Sequence, residues 1–307
     1  MYYFKILNSN SFFILRKIYN KLFKFKFAKS LLNFIFTKFF FLSNQNIYYI
    51  KKIDNLYLHS TVFVNFFYYR PIRVVERFVL ETFPIFFHNY LPKKKDVIID
   101  LGSGIGQEVI IASRLIGEKG KLIAIEANDQ VFKILEKNVT HNKLRNVTLI
   151  NRNFYEKNLS IGIDRKEKNI EINDDWTRTN FLNKKNKVFK SITLDEVIKL
   201  YNLKIINFAR FNIEGAEKFL LKGNSNFLKI VQNLSISAHD FLKKKKFKTY
   251  NVLINFLEKK NFYINVLKNQ QEDNLNYMIY ASKEKIYSSN YVENYYHFYY
   301  KRIKPKI

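Results

Sequence analysis

The sequence predicts an α/β domain in which a mostly parallel sheet carries helices on both faces. The prediction rests on three features: a short β-branched run, Val97–Ile99, that ends at Asp100, a glycine-rich turn at 102–106, and a second apolar run that ends at Glu126. Continuous apolar runs of this kind are typical of strands that a parallel sheet buries on both faces. Because such sheets bind ligands beyond the carboxyl ends of their strands, we expect both acids at one ligand site.

Hydrophobic periodicity places the remaining elements around this unit. We expect helices at 107–116, 129–138 and 249–259, a helix that begins over 216–221, and strands at 121–125, 147–150, 205–213, 262–266 and 275–281. A chain of 307 residues favours one domain with extensions over two full domains. The core should span 71–283, after a helical or irregular extension, 1–70, and before a Tyr-rich basic tail, 284–307.

The glycine-rich turn indicates a nucleotide-type cofactor. Gly102, Gly104 and Gly106 allow a tight turn and the close approach of a ligand to the backbone. The Glu126 carboxylate can accept both hydroxyl hydrogens of a ribose. Glu126 follows Gly106 by 20 residues (126 − 106), a spacing that dinucleotide sites share. The glycines follow G-x-G-x-G, however, and not the dinucleotide pattern G-x-G-x-x-G, so they favour another cofactor.

This pattern resembles motif I of the class I S-adenosylmethionine-dependent methyltransferases. A second signature, Thr193-Leu194-Asp195 and then Glu214-Gly215-Ala216-Glu217, is similar to the FkbM family of these enzymes, and the resemblance covers about residues 96–282. It implies a Rossmann-like core with a seven-stranded sheet and S-adenosyl-L-methionine as the cofactor. The cofactor-binding residues that it implies are Asp100, Gly102, Ser103, Gly104, Gly106, Glu126, Ala127, Asn153 and Asn212.

The resemblance also assigns roles along the ligand. Asp100 and the glycine loop would hold the methionine part, Glu126 the ribose and Asn153 the adenine side. The family pattern is broken where its lysine is replaced by Arg210 and its aspartate by Asn212. The second replacement argues against a carboxylate-bound metal at that position, and we predict no metal.

Two residues are candidates for removing a proton from the methyl acceptor, the step in which a methyltransferase can assist its reaction. We predict His239 as the base, because imidazole titrates near neutral pH and this residue follows the predicted fifth strand. Glu214 is the second candidate, at the end of the predicted strand 205–213. Each has a structural alternative: a histidine in a strand can serve packing, and Glu214 and Glu217 can stabilise a helix N-terminus.

Composition limits the partners and the compartment. A formal net charge of +27 would ordinarily indicate nucleic acid or an anionic membrane. Lys, Asn, Ile, Phe and Tyr are all abundant together, as in proteomes with A+T-rich codons, so we expect no specific nucleic acid. The absence of cysteine excludes disulfides and cysteine-ligated metal and fits a reducing compartment. We predict a cytoplasmic protein.

The extension 1–70 alternates aromatic residues with lysines. Its most apolar run, Leu31–Leu42, is shorter than the roughly 20 residues of a membrane span, and we expect no secretory signal. The extension either covers the core or lies peripherally on an anionic membrane. Trp176, the only tryptophan, either stacks on a sugar or anchors a long loop.

The predicted function is methyl transfer from S-adenosylmethionine to an oxygen of a sugar, a glycan or a related polar metabolite. Two alternatives come from other classes. One is an RNA-directed methyltransferase or RNA-binding protein, which the charge favours. The other is a non-catalytic, membrane-associated partner in glycan assembly. The resemblance favours it because two acids of the family pattern are replaced, one by Asn212 and one by Ser237. The oligomeric state is not predicted.

Overall fold

The computed structural model describes residues 49–60, 65–69, 82–154, 160–162, 188–242, 248–267, 270 and 273–285. The chain divides into two compact units, one formed by 1–80 with 305–307 and the other by 81–304. Trp176 and residues 286–307 of the predicted tail lie outside the described residues. None of the helices in the described part of the chain has the length and hydropathy that a membrane crossing requires.

The described part of the first unit is a three-stranded antiparallel sheet. Its strands are β1 (Tyr49–Ile53), β2 (Leu56–Ser60) and β3 (Asn65–Tyr68). Alternate residues of β2 are buried, which is the period of a strand with one face in a core. The expectation of a helical or irregular extension is therefore wrong for these strands, because residues 56–60 follow a period of two.

The second unit contains the remaining strands and all of the α-helices that the structure describes. The strands are β4 (Val97–Leu101), β5 (Lys121–Ile125), β6 (Val147–Ile150), β7 (Asn153–Phe154), β8 (Ser160–Gly162), β9 (Val188–Ile192), β10 (Ile206–Phe211), β11 (Val231–Ser237), β12 (Tyr263–Val266) and β13 (Met278–Ser282). The helices are α1 (Gln107–Ile116), α2 (Asp129–His141), α3 (Leu194–Tyr201), α4 (Ser225–Ile230) and α5 (Tyr250–Lys259). A 3₁₀ helix at Ala216–Leu221 occupies the place of the helix predicted after β10.

Seven of these strands form one sheet in the order β12-β13-β11-β10-β4-β5-β6. The pairs are parallel except those of β13, which runs antiparallel to both of its neighbours. The predicted seven-stranded, mostly parallel sheet is confirmed. From β4 the chain moves outward to β5 and β6 and then returns to β10 on the other side of β4. The boundary between β4 and β10 is therefore the topological switch point, where open α/β sheets bind ligands.

The core of this unit lies against the central strands. Ile99 in β4, Ile123 in β5 and Ala209 in β10 are fully buried, as their β-branched or small apolar side chains predict. Phe211 packs edge-on against Phe154 and Phe227, with ring centroids 6.2 and 5.9 Å apart. These contacts fix the carboxyl end of β10, next to the switch point.

The signature at 193–195 stabilises two helices. The Thr193 hydroxyl accepts a hydrogen bond from the backbone N–H of Glu196, and the Glu196 carboxylate accepts one from the N–H of Thr193, a capping box at the start of α3. The Asp195 carboxylate accepts a hydrogen bond from the backbone N–H of Phe227 in α4, at 2.8 Å. This part of the family signature therefore joins α3 to α4 and lies outside the ligand-binding edge.

We predict that Thr193→Ala lowers the free energy of unfolding by roughly 0.5–2 kcal/mol, because it removes the cap of α3. Urea denaturation measures the change, and Thr193→Ser, which keeps the hydroxyl, is the matched control. Equal stability of the alanine and serine variants would contradict the capping role.

Candidate cofactor and active site

A cleft opens at the switch point, beyond the carboxyl ends of β4, β5 and β10. Most of the residues predicted from the sequence for the site line this cleft: Gly102, Ser103, Gly104, Glu126, Ala127, Asn153, Asn212 and Glu214. Asp100, Gly106 and His239 are absent from the lining and lie behind it. The topology thus collects residues from distant parts of the sequence at one edge, as the parallel sheet predicts.

Two glycines of the loop have different tasks. Both Gly102 and Gly104 have positive φ angles, 79° and 56°. A Cβ at Gly102 would overlap the backbone carbonyl of Asn212, whereas a Cβ at Gly104 would have no atom within 4 Å. Gly102 therefore allows the loop to pack on the chain after β10, and Gly104 leaves space in the cleft beside the backbone. Gly106 serves packing, since a Cβ there would overlap Leu135 of α2.

Glu126 connects the glycine loop to the start of α2. Its carboxylate accepts hydrogen bonds from the backbone N–H of Gly104 at 3.0 Å and of Asn128 at 2.7 Å. Each carboxylate oxygen has a further lone pair, so the group can still accept ribose hydroxyls. Burial raises the pKa of Glu126 to about 7, although the hydrogen bonds from Asn128 and Gly104 oppose the increase. The charge of this carboxylate therefore changes near neutral pH.

Asp100 forms a buried ion pair behind the loop. Its Oδ1 atom lies 2.7 Å from Nη1 of Arg210, which is its direct neighbour on β10. Arg210 also donates to the carbonyl of Gly102 at 3.2 Å, and its guanidinium lies 4.0 Å from the centre of the Phe86 ring. Glu108, in the first turn of α1, lies 3.5 Å from Arg210. Contact of Asp100 with the methionine part stays a prediction.

Arg210 and Glu108 are site residues that the sequence pattern does not predict. The pattern marks Arg210 only as the replacement of a family lysine, whereas in the structure it lines the cleft and anchors the loop. A signal for it existed, because an apolar strand rarely contains a charged residue unless that residue is paired. Burial raises the pKa of Glu108 to about 7; Arg210 opposes this increase and Asp100 adds to it.

Several buried polar atoms around the cleft lack a hydrogen-bond partner among the described residues. They include Nδ2 of Asn153, Oε1 of Gln107 and Nε of Arg210, each from a residue that lines the cleft. Unpaired polar atoms are costly in a protein interior, so their concentration here indicates a ligand that supplies partners. Donors and acceptors next to open space at Gly104 fit an adenosyl ligand, which carries both kinds of group.

His239 lies behind Glu214. Its Nδ1 atom is 2.8 Å from the fully buried carboxylate of Glu217, and its Nε2 atom is 3.4 Å from the carboxylate of Glu214. Burial alone would lower its pKa, but Glu217 and Glu214 together raise the pKa of His239 to about 10. The imidazole is therefore charged at neutral pH and cannot accept a proton there. This geometry opposes the predicted role of His239 as the base.

The part of the chain that the structure describes contains no cluster of three His, Cys, Asp or Glu side chains that could hold a metal ion.

The fold and the cleft define a class I S-adenosylmethionine-dependent methyltransferase. The family model described as the methyltransferase FkbM domain matches residues 100–264, just over half of the chain. The protein therefore belongs to the FkbM methyltransferase family, whose cofactor is S-adenosyl-L-methionine. The predicted family and cofactor are confirmed.

Three individual proteins are also similar to this chain, two over a short segment and one at low sequence identity. A probable cobalt-precorrin-6B C(15)-methyltransferase (decarboxylating) of Sulfolobus acidocaldarius is 42% identical over 52 residues, which are 17% of this chain and 27% of that protein. Its counterpart in Sulfurisphaera tokodaii is 44% identical over 52 residues, with the same coverage. The chain thus spans about a quarter of the length of these relatives. The solved structure of fibrillarin from Aeropyrum pernix with bound S-adenosyl-L-methionine is 15% identical, with a TM-score of 0.41 over 76% of this chain and 82% of that one.

We predict that Gly102→Ala and Gly104→Ala differ in their main effect, although both add one methyl group at a positive φ. Gly102→Ala should markedly destabilise the fold, because the methyl group overlaps backbone. Gly104→Ala should cost only about 1–2 kcal/mol of stability, the penalty for the left-handed conformation, and should weaken binding of S-adenosylhomocysteine, the demethylated product. Thermal unfolding and calorimetric titration measure the two effects. A stable Gly102→Ala variant would contradict the assigned packing.

We predict that the dissociation constant of S-adenosylhomocysteine rises as the pH falls from 8 to 6. The cause is Glu126, whose pKa of about 7 makes it mostly neutral at pH 6, so that it loses acceptor capacity for the ribose. If only the ionised form binds, the increase approaches about tenfold. Glu126→Gln is the control and should bind weakly with a flatter pH dependence. An unchanged pH dependence in that variant would assign the effect to another group.

Proposed function

We propose that this methyltransferase methylates a hydroxyl oxygen of a sugar, a glycan or a related polar metabolite. The observation that carries the proposal is Glu214, a carboxylate that lines the same cleft as the glycine loop and Glu126. A hydroxyl oxygen must lose its proton when it gains a methyl group, and a carboxylate at the reacting position can help to remove it.

In this proposal, residues at one end of the cleft bind the cofactor and Glu214 at the other end faces the acceptor. S-adenosylmethionine, when bound, supplies an electrophilic methyl group. Glu126, Gly104 and Asn153 would hold the ribose and adenine parts, and Arg210 would fix the loop through its hydrogen bond to the carbonyl of Gly102. Glu214 is at the end of β10, where it would face an acceptor. Alignment of the two reactants by these groups supplies much of the catalytic effect in a direct displacement.

The charge of the cleft supports a small polar acceptor over RNA. Among the described residues of its lining, the cations are Arg152 and Arg210 and the anions are Glu126 and Glu214. Arg210 is further neutralised by Asp100. An RNA-binding cleft would be expected to carry a basic stripe, and this balanced lining does not have that character.

Peripheral contact of residues 1–70 with an anionic membrane and a cytoplasmic location remain proposals. The lysines and aromatic residues of the segment support the contact. Most of this segment lies outside the described residues.

Incubation of the full chain with methyl-labelled S-adenosylmethionine tests the proposed function. The acceptors are a polar-metabolite fraction, a glycan fraction and total RNA, and Glu126→Ala is the control with a weakened cofactor site. We expect label in methyl ethers of the sugar-containing fractions, at a rate that falls in the control. Label in RNA would overturn the proposal in favour of an RNA methyltransferase. Binding of S-adenosylhomocysteine without transfer to any fraction would favour the non-catalytic partner.

A further inference from the structure

Three titratable side chains form a line from the cleft into the protein. Glu214 lines the cleft, His239 lies behind it, and Glu217 lies behind His239. The imidazole has Nε2 3.4 Å from Glu214 and Nδ1 2.8 Å from Glu217, so its two ring nitrogens face opposite carboxylates. His239 is only 2% exposed and does not belong to the cleft lining. An acceptor in the cleft therefore meets Glu214 before His239.

The arrangement favours a charged imidazole. A neutral ring has one N–H, and the lone pair of its other nitrogen would face a carboxylate. An imidazolium instead donates a hydrogen bond to both carboxylates. The Phe241 ring, 5.3 Å from the imidazole, has no charge to offset this preference. The neighbouring acid in the chain, Asp240, accepts hydrogen bonds from the backbone N–H groups of Thr249 and Tyr250. The charged groups described around His239 are therefore Glu214 and Glu217, and both stabilise its protonated form.

The backbone supports the placement of Glu214. Its φ of 54° lies in the left-handed region, which is uncommon for a glutamate, and the next residue, Gly215, has a φ of 96°. Glu217 holds this turn in two ways: its carboxylate accepts a hydrogen bond from the N–H of Ile213 at 3.3 Å, and it binds His239, which contacts Glu214. Conformations of this kind persist where the surrounding structure enforces them, and they are frequent at active sites.

We propose that Glu214 is the catalytic base and that His239 is a positioning residue, which acts as a cation between Glu214 and Glu217. The proposal rests on the proposed function. The acceptor oxygen gains the methyl group as the carbon–sulfur bond breaks and its electron pair stays on sulfur. The hydroxyl proton passes to the Glu214 carboxylate, which becomes a carboxylic acid and returns the proton to solvent after product release. His239 keeps its proton throughout and directs the carboxylate into the cleft.

The pH dependence of kcat in the full chain distinguishes this arrangement from one in which His239 is the base. With Glu214 as the base, kcat should be nearly constant from about pH 7 to 9 and should fall as His239 loses its proton near pH 10. With His239 as the base, kcat would rise about tenfold per pH unit over the same range, because only the neutral imidazole would be active. A rising profile would overturn the proposal.

Two variants separate the base from the positioning residue. Glu214→Gln should lower kcat by about 10²–10⁴-fold without a change in S-adenosylhomocysteine affinity. His239→Asn, which keeps an N–H donor near Glu217 but loses the charge, should lower kcat less and abolish the fall in kcat near pH 10. A larger loss in His239→Asn than in Glu214→Gln would overturn the assignment.

Nitrogen NMR of the His239 ring provides a readout that requires no acceptor. The wild-type ring should be an imidazolium at pH 8. In Glu214→Gln, the ring should lose its proton at a lower pH than in the wild type. A neutral ring at pH 8 in the wild type would overturn the positioning role, whatever the acceptor is. Failure of the wild type to methylate any hydroxyl would instead refute the proposed function, and with it the role of Glu214 as the base.

Discussion

The ion pair between Asp100 and Arg210 is the constraint on which the site depends. It joins β4 to β10 across the topological switch point, with 2.7 Å between the two groups and both side chains buried. Arg210 also binds the carbonyl of Gly102, so the same side chain fixes the glycine loop. Removal of one partner from a buried pair leaves an uncompensated charge, which typically costs about 3–5 kcal/mol. Glu108 increases this dependence, because Arg210 is the cation that compensates both carboxylates in the described structure.

The ion pair between Asp100 and Arg210 positions both sides of the cleft, the β4 side and the β10 side. On the β4 side, the loop brings Gly104 to within hydrogen-bond distance of Glu126, at the end of β5. On the β10 side, the chain leaves the sheet through Asn212, whose carbonyl packs where Gly102 has no side chain, and turns at Glu214. The contact between Gly102 and the backbone of Asn212 therefore joins the cofactor-binding part of the cleft to the proposed acceptor-binding part. A change at Gly102 or Arg210 should affect both ends, whereas a change at Gly104 or Glu214 should affect one.

Residue patterns alone predict the part of the site whose residues are close in sequence. Gly102, Gly104 and Glu126 lie in one strand–turn–helix–strand unit that indicates a nucleotide-type ligand, whereas Asn153 and Asn212 follow only from the family resemblance. The Asp100–Arg210 pair spans 110 residues, and the sequence does not give the register of β4 against β10 that brings the two together. The surroundings of His239 cannot be predicted for the same reason. Nothing in the sequence shows that Glu217 contacts Nδ1, and that contact favours the protonated imidazole. The signature at 193–195 is recognisable in the sequence, but only the structure shows that its polar side chains cap and join helices.

Calorimetric titration of the full chain with S-adenosylhomocysteine and with NAD tests the central claim most directly. The claim is that the glycine loop and Glu126 form a site for an S-adenosyl ligand and not for a dinucleotide. S-adenosylhomocysteine should bind and raise the melting temperature, as a ligand selective for the folded state must. NAD should do neither. Glu126→Ala should weaken the binding of S-adenosylhomocysteine by roughly 1–3 kcal/mol, because the ribose hydroxyls lose their acceptor. Equal binding of NAD, or no binding of S-adenosylhomocysteine, would contradict the account.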